Sequence, residues 1–386
     1  MEGKASSGRR ALVTGGAGLI GSHLVDLLLR EGWSVRILDS LEPQTHRNGA
    51  PPWLSPHAQF VRGDIRDRAT VVDALDGIDV VFHQAAYGGY MPEITKFVSV
   101  NSFGTAQILE VIRDENLPVK KVVVASSQVV YTEGAVLCSR HGLVYPATRT
   151  LDRLSAGDWN VYCPLCGEAT TPAATPEDAP IGADMTYAIT KVDQERLTLS
   201  WSKQTGIPAV ALRYACTYGP RQSIFNPYTG VIAIFATRAL NDLPPLLFED
   251  GGQIRDLCFV EDVARANLMV ATTDKLDGLP VNVGTGTPRT IRAVAEAVIE
   301  AVGASIEVDI PGEFRPGEMR SLYADISRLR SIGYEPSVDL QEGVGRYLDW
   351  IKGQGEIRDY FAAAAETLRE KRMVHRATSV PTPVIR

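Results

Sequence analysis

What the chain has little of narrows it first. It carries only five cysteines, an odd number, three of them crowded into residues 138–166. That count offers no disulfide framework and leads us to expect a reducing, cytoplasmic setting. No stretch approaches the roughly 18 apolar residues of a membrane span, so no membrane partner is expected. The polar, basic start Met1–Arg10 runs into an apolar stretch that glycines break at once, which does not suit a secretory leader. An excess of positive charge is also missing. The formal net charge of -7 leaves no broad basic field for nucleic acid, and a phosphorylated ligand would need a local cluster of arginines. What remains is ordinary enzyme material, 386 residues with 45% hydrophobic and 22% charged side chains. Such a chain holds about two domains and can bury a core without disulfides or a partner.

Residues 10–130 alternate between short apolar runs and helical patterns. Strands are expected at Ala11–Thr14, Ser34–Leu38, Val80–His83 and Lys121–Ala125, and helices at Ile20–Arg30, Val71–Leu75 and Phe97–Asn116. Short buried strands separated by helices imply a parallel sheet covered on both faces, a doubly wound α/β domain. The pattern breaks over residues 132–184, rich in Gly, Pro, Thr and Cys, and a loop of that length should have an organisation of its own. A helix at Met185–Thr205 and a strand at Ala209–Tyr214 follow. The expected plan is a nucleotide-binding domain over 9–215 with 132–184 as an insertion, a smaller substrate-binding domain over 216–352, and a tail over 353–386. In that tail Tyr360–Arg372 suits a helix, and the Pro/Val/Thr stretch after it is expected to be disordered.

Gly15, Gly18 and Gly21, with Leu19 and Ile20 between the last two, lie between the first strand and the first helix. Glycines at this spacing allow a tight turn, close backbone approach to a pyrophosphate, and close packing of helix on sheet. Asp39 ends the second strand, where an acid takes adenosine ribose hydroxyls and repels a 2′-phosphate, so NAD is favoured over NADP. Tyr187 and Lys191 stand four residues apart on one helix face. The cation is expected to favour phenolate, making Tyr187 a base for an alcohol that loses hydride. Ser126-Ser127 ends a buried strand at the sheet edge where such folds bind ligands.

Together with Ser126-Ser127-x-x-Val130-Tyr131, Tyr218-Gly219-Pro220-Arg221-Gln222 and Arg255-Asp256, these motifs resemble the extended short-chain dehydrogenase/reductase family, in its nucleotide-sugar epimerase and dehydratase branch. The resemblance runs from about residue 10 to 350 and misses the 132–184 segment and the tail. It implies a Rossmann-type sheet with a smaller C-terminal substrate-binding domain, and a homodimer built on the helices near Phe97–Asn116 and Met185–Thr205. It further implies that Asp64 and Ile65 contact adenine and that Ala85, Ala86 and Tyr87 line NAD with Asn101 nearby. Ser127 would bond the reacting hydroxyl, Tyr187 would act as base and Lys191 would hold the nicotinamide ribose. Arg255 and Arg315 would grip the substrate pyrophosphate, with Cys216 and Asn226 also at the substrate. Cys216 is a departure, since many relatives have Asn there, and a thiol lacks the amide's donor and acceptor strength.

Dehydratases and decarboxylases of this branch use an acid just after the catalytic serine, and this chain has Gln128-Val129. Oxidation to a keto sugar and re-reduction on its other face is therefore the expected reaction, inverting C4 of a dTDP- or UDP-sugar. A net dehydrogenase or 4-keto reductase is the alternative within the fold, and a non-catalytic NAD sensor the alternative outside catalysis.

Cys138, His141, Cys163 and Cys166 form two pairs, each with a two-residue gap that lets both side chains reach one ion. Three Cys and one His suit a closed, structural zinc site. A redox Cys-x-x-Cys or a chance grouping are the other readings. Similar insertions occur in a subgroup resembling bacterial dTDP-L-rhamnose 4-epimerases, which inclines the substrate toward a deoxysugar nucleotide.

Overall fold

The apolar runs pair side by side in one direction. In the computed structural model, which describes residues 8–89, 91–225 and 230–378, seven strands form a single sheet. They are β1 (Arg10–Thr14), β2 (Ser34–Asp39), β3 (Gln59–Arg62), β4 (Val80–His83), β5 (Lys121–Ser127), β6 (Ala209–Tyr214) and β7 (Pro280–Val283). Their spatial order is β3-β2-β1-β4-β5-β6-β7 and every pairing is parallel. A parallel sheet needs crossovers, and these place helices on both faces. On one face α1 (Leu19–Arg30) brings Leu24 and Leu28 onto Val13, Ile37 and Phe82. On the other, α2 (Gly104–Asp114) and α3 (Thr186–Thr205) bring Ile108, Ile112 and Trp201 onto Leu12 and Val81. Each such side chain contributes about 1.5–3 kcal/mol by leaving water. The strand order reverses between β1 and β4, and that switch point opens a crevice at the strands' C-terminal ends.

Several elements differ from expectation. β3 was not foreseen: Gln59-Phe60-Val61-Arg62 is a short, half-exposed edge strand without a sustained alternation. The long helix expected at Phe97–Asn116 contains a π-helical turn, Val98–Phe103, between a short helix (Ile94–Phe97) and α2. The boundary at 215/216 is not a single cut. α4 (Val260–Ala271) covers the sheet, and β7 pairs with β6, although both lie within 216–352. The rest of that span builds the smaller lobe around Tyr218, Phe235, Phe259, Val298, Val344 and Tyr347, the last two on α5 (Leu340–Lys352).

The 132–184 segment does have its own organisation. Strands Val136–Cys138, Gly142–Val144 and Thr171–Pro172 form an antiparallel sheet, and Leu151–Ser155 is helical. The segment is fastened to the smaller lobe by buried Arg149, which pairs with Glu133 at 2.8 Å and Glu249 at 2.9 Å. After α5 the chain continues as α6 (Phe361–Glu370), and strand His375–Arg376 pairs antiparallel with Glu313–Phe314. Part of the stretch expected to be disordered is thus ordered. The cause is apolar docking: Ala377 packs with Leu154, Trp159 and Phe314, and His375 stacks on Phe314. Residues 379–386 lie outside the described residues. Among the described residues, no helix is long and apolar enough to cross a membrane.

Candidate active site

The turn after β1 is shaped by atoms it must avoid. Gly15 has φ +68°, and a Cβ there would lie 2.8 Å from the Ala85 amide nitrogen. A Cβ on Gly21 would fall 2.2 Å from the Gly15 carbonyl oxygen. Gly18 caps α1 without a side-chain hydrogen bond, so the first helical amides remain open at a positive helix end. Asp39 sits at the end of β2, its Oδ2 accepting from the Ala17 amide at 3.0 Å and its Oδ1 from the Leu41 amide at 2.8 Å. The fixed carboxylate keeps lone pairs for further donors.

These residues line a crevice of about 410 Å³, together with Leu19, Ile20, Asp64, Ile65, Ala85, Ala86 and Tyr87. Asp64 pairs with Arg66 at 2.6 Å, and hydrogen bonding from Arg66 holds its carboxyl below the usual range. Asn101 is not among the lining residues. It lies behind the wall, where its Oδ1 accepts from the Tyr87 amide at 2.7 Å and its Nδ2 donates to the Tyr87 carbonyl at 2.9 Å and to Thr190 at 3.0 Å. Its place in the π-helical turn lets one side chain tie the β4 loop to α3.

The crevice floor continues to Ser127, Tyr187 and Lys191. Ser127 hydrogen-bonds the Tyr187 phenol. Lys191 Nζ donates to the Ala125 carbonyl at 2.9 Å and stands 5.8 Å from the centre of the Tyr187 ring. Burial pushes Lys191 down to about 7. Burial also pushes Tyr187 up to about 12, while the Ser127 bond pulls the other way. The expected lowering of the tyrosine by its lysine is not seen in this site: burial pushes the phenol up, and the Lys191 amine is turned to a backbone carbonyl. Beneath them, Glu195 accepts from Ser126 at 2.8 Å and pairs with buried Arg213 at 2.6 Å, which fixes the ends of β5 and β6.

A second cavity of about 700 Å³ shares Gly88, Tyr187, Thr217 and Gln222 with the first. Cys216, Arg255 and Arg315, three of the residues expected at the substrate, line it; Asn226 lies outside the described residues. Burial pushes the Cys216 thiol up to about 11, so it is a poor nucleophile. Its Sγ accepts from Gln128 Nε2 at 3.4 Å. Arg255 pairs with Glu318 at 3.1 Å, and the Arg315 guanidinium lies 4.3 Å above the Phe248 ring. Val129, Met185 and Met319 pack together and face the same space. Sequence reasoning missed Phe248, Glu318, Met319, Phe361, Arg372 and Met373 as lining residues. Glu318 and Met319 adjoin the Arg315 motif and could have been found through it; the others carry no local signal.

The four Cys and His side chains of the insertion do converge. Cys138 Sγ lies 3.6 Å from His141 Nδ1 and 3.7 Å from Cys166 Sγ, and Cys163 Sγ lies 3.5 Å from the same His141 nitrogen. All four ligand atoms fall within 4.8 Å of one another. A tetrahedron with zinc–sulfur bonds of about 2.3 Å has edges of about 3.8 Å.

With this geometry in place, the relationships of the chain are plain. The sequence pattern of the NAD dependent epimerase/dehydratase family matches residues 11–144 and 163–284. The chain is 30% identical to dTDP-L-rhamnose 4-epimerase of Burkholderia thailandensis, over 89% of this chain and 95% of that protein. A Thermotoga maritima UDP-glucose 4-epimerase solved with UDP-glucose superposes with a TM-score of 0.72 at 28% identity, over 90% of this chain and 100% of that one. A Thermus thermophilus UDP-glucose 4-epimerase solved with NAD gives 0.70 at 31%, over 89% and 99%. The chain belongs to the NAD dependent epimerase/dehydratase family, as a short-chain dehydrogenase/reductase of the nucleotide-sugar epimerase branch.

Proposed function

We propose that the chain inverts a sugar carbinol carbon, C4 of a dTDP- or UDP-linked sugar, by transient oxidation. The observation that carries this is the triad of Ser127, Tyr187 and Lys191 where the two cavities meet, with no acid in the Gln128-Val129 pair that follows the serine. NAD, when bound, supplies the hydride acceptor and later the donor. The Gly15–Gly21 turn and open end of α1 would hold its pyrophosphate, and Asp39 its adenosine ribose. Asp64 and Ile65 would meet the adenine, and Ala85, Ala86 and Tyr87 would form a wall that Asn101 stiffens.

Ser127 holds the reacting hydroxyl and Tyr187 takes its proton as the carbon loses hydride. Lys191 would hold the nicotinamide ribose. The keto sugar turns about its phosphate linkage, receives the hydride on its other face, and recovers the proton from Tyr187. Arg255 and Arg315 are placed to hold the diphosphate, for which planar guanidinium groups are suited. The apolar wall of Val129, Met185 and Met319 suits the methyl group of a 6-deoxysugar. Cys216 then serves as a small, unreactive contact.

Three further features belong to the same proposal. Cys138, His141, Cys163 and Cys166 would hold one zinc ion with no open position, a structural rather than catalytic site. A homodimer would cover Ile94, Val98, Phe103 and Ile189, which are 63%, 47%, 52% and 48% exposed on neighbouring helical turns. All five cysteines are free, which suits a reducing cytoplasm.

Proton NMR of the purified protein with a panel of dTDP-, UDP- and GDP-sugars, without added NADH, tests the reaction. A second sugar nucleotide should appear at equilibrium with no net change in cofactor redox state. Conversion that requires stoichiometric NADH or NAD would instead identify a reductase or dehydrogenase.

A further inference from the structure

The substrate cavity is lined by Phe361, Arg372 and Met373 as well as by the expected residues, and these three come from the segment that follows α5. The Thermotoga epimerase is covered over 100% of its length by 90% of this chain, so about a tenth of this chain lies outside that relative. The family pattern itself ends at residue 284.

The segment is anchored along its length. Asp359 pairs with Arg238 at 2.8 Å, Arg369 with Glu313 at 2.8 Å, and the Thr378 amide donates to the Ser155 carbonyl at 2.9 Å in the insertion. Its strand pairs His375 with Phe314, the residue before Arg315. The strand pair thus brings together the stretches of chain that carry Arg372 and Arg315.

Two properties mark Arg372 among the three residues of this segment that line the cavity. Neighbouring Arg358 and Arg369 are spent in ion pairs, with Glu356 and Glu313, whereas the Arg372 guanidinium makes none among the described residues and is exposed. Its backbone has φ +55° just past the end of α6, the left-handed position that glycine usually takes. An arginine kept there at the cost of strain points to a role for its side chain.

We propose that residues 353–378 form a built-in wall of the substrate cavity and that Arg372 is a further substrate-binding residue, taking the phosphates of a nucleoside diphosphate alongside Arg255 and Arg315. The inference rests on the nucleotide-sugar reading of this cavity. Its test is calorimetric titration of the NAD-loaded protein with UDP and with dTDP, using wild type, Arg372→Ala and Arg372→Gly. Both variants should bind the better nucleotide about tenfold more weakly, the loss expected for one charge-assisted contact. KM for the sugar nucleotide should rise by a similar factor with kcat little changed. Arg372→Gly should also keep or raise Tm, because glycine relieves the positive φ.

Variants that bind as tightly as wild type would overturn the role of Arg372. Affinity lost together with Tm in Arg372→Gly would assign the arginine to structure and overturn it equally. A wild-type protein that binds neither nucleotide would refute the nucleotide-sugar reading, and the inference with it.

Discussion

A tyrosine that has to give up a proton lies where burial raises its pKa to about 12, so the groups that oppose burial decide the rate. Ser127 is one of them. Its hydrogen bond to the phenol favours the phenolate, and removing it raises the tyrosine pKa further. The rate should climb with pH as Tyr187 ionises. Ser127→Ala should therefore displace the rising limb of the kcat/KM profile to higher pH and lower the rate at neutral pH. Tyr187→Phe should keep NAD yet lose on the order of 10²–10⁴ in turnover, the span of general acid–base catalysis. A pH–rate series on the two variants checks both, and an unmoved limb in Ser127→Ala would detach the serine from the base. These residues were legible in the sequence because each lies within a few residues of a partner or at a strand end. Phe248 and Arg372 were not, because only the folded loops bring them to the cavity. The opposed pKa direction was also hidden, since spacing reports proximity but not desolvation.

At the scale of elements, the insertion carries a prediction of its own. Its small sheet has a modest apolar core, chiefly Val136, Val144 and Val161 with Cys138 and Cys163, and a bound ion would supply the missing cohesion. The purified protein should contain about one zinc per chain by elemental analysis, a ratio set by one four-ligand cluster. Cys163→Ser should lose the metal and lower Tm. NAD binding should persist, because the β1 turn and the insertion are separate elements. A metal-free wild type with the same Tm would remove zinc from the account. Breaking the Arg149 pairs would be costly for a related reason, since Glu133 and Glu249 would keep buried charge with one partner fewer. Among the elements, buried strands such as β4 and β5 were readable as runs of apolar residues. β3 was not, because an edge strand of four residues with polar ends has no period to detect.

For the whole molecule, the parallel sheet with its crevice and the smaller lobe were foreseen from the alternation of patterns. The return of β7 to the sheet was not, since a four-residue strand gives no sign of which neighbour it will join. The exposed helical face has a consequence for assembly. Sedimentation velocity should find a dimer for the wild type and monomers for Phe103→Glu, which puts a charge on a side chain now 52% exposed beside Ile94, Val98 and Ile189. A wild-type monomer at micromolar concentration would remove the interface.

The central claim is that one hydride leaves the sugar and returns to it. The most direct measurement uses a sugar nucleotide deuterated at C4, converted in ordinary water, with the product examined by NMR and mass spectrometry. The account predicts that the inverted product keeps the deuterium at C4 and that no NADH accumulates. Loss of the label to solvent during inversion would contradict it, because the carbon would then have exchanged a proton rather than passed a hydride to the cofactor and back.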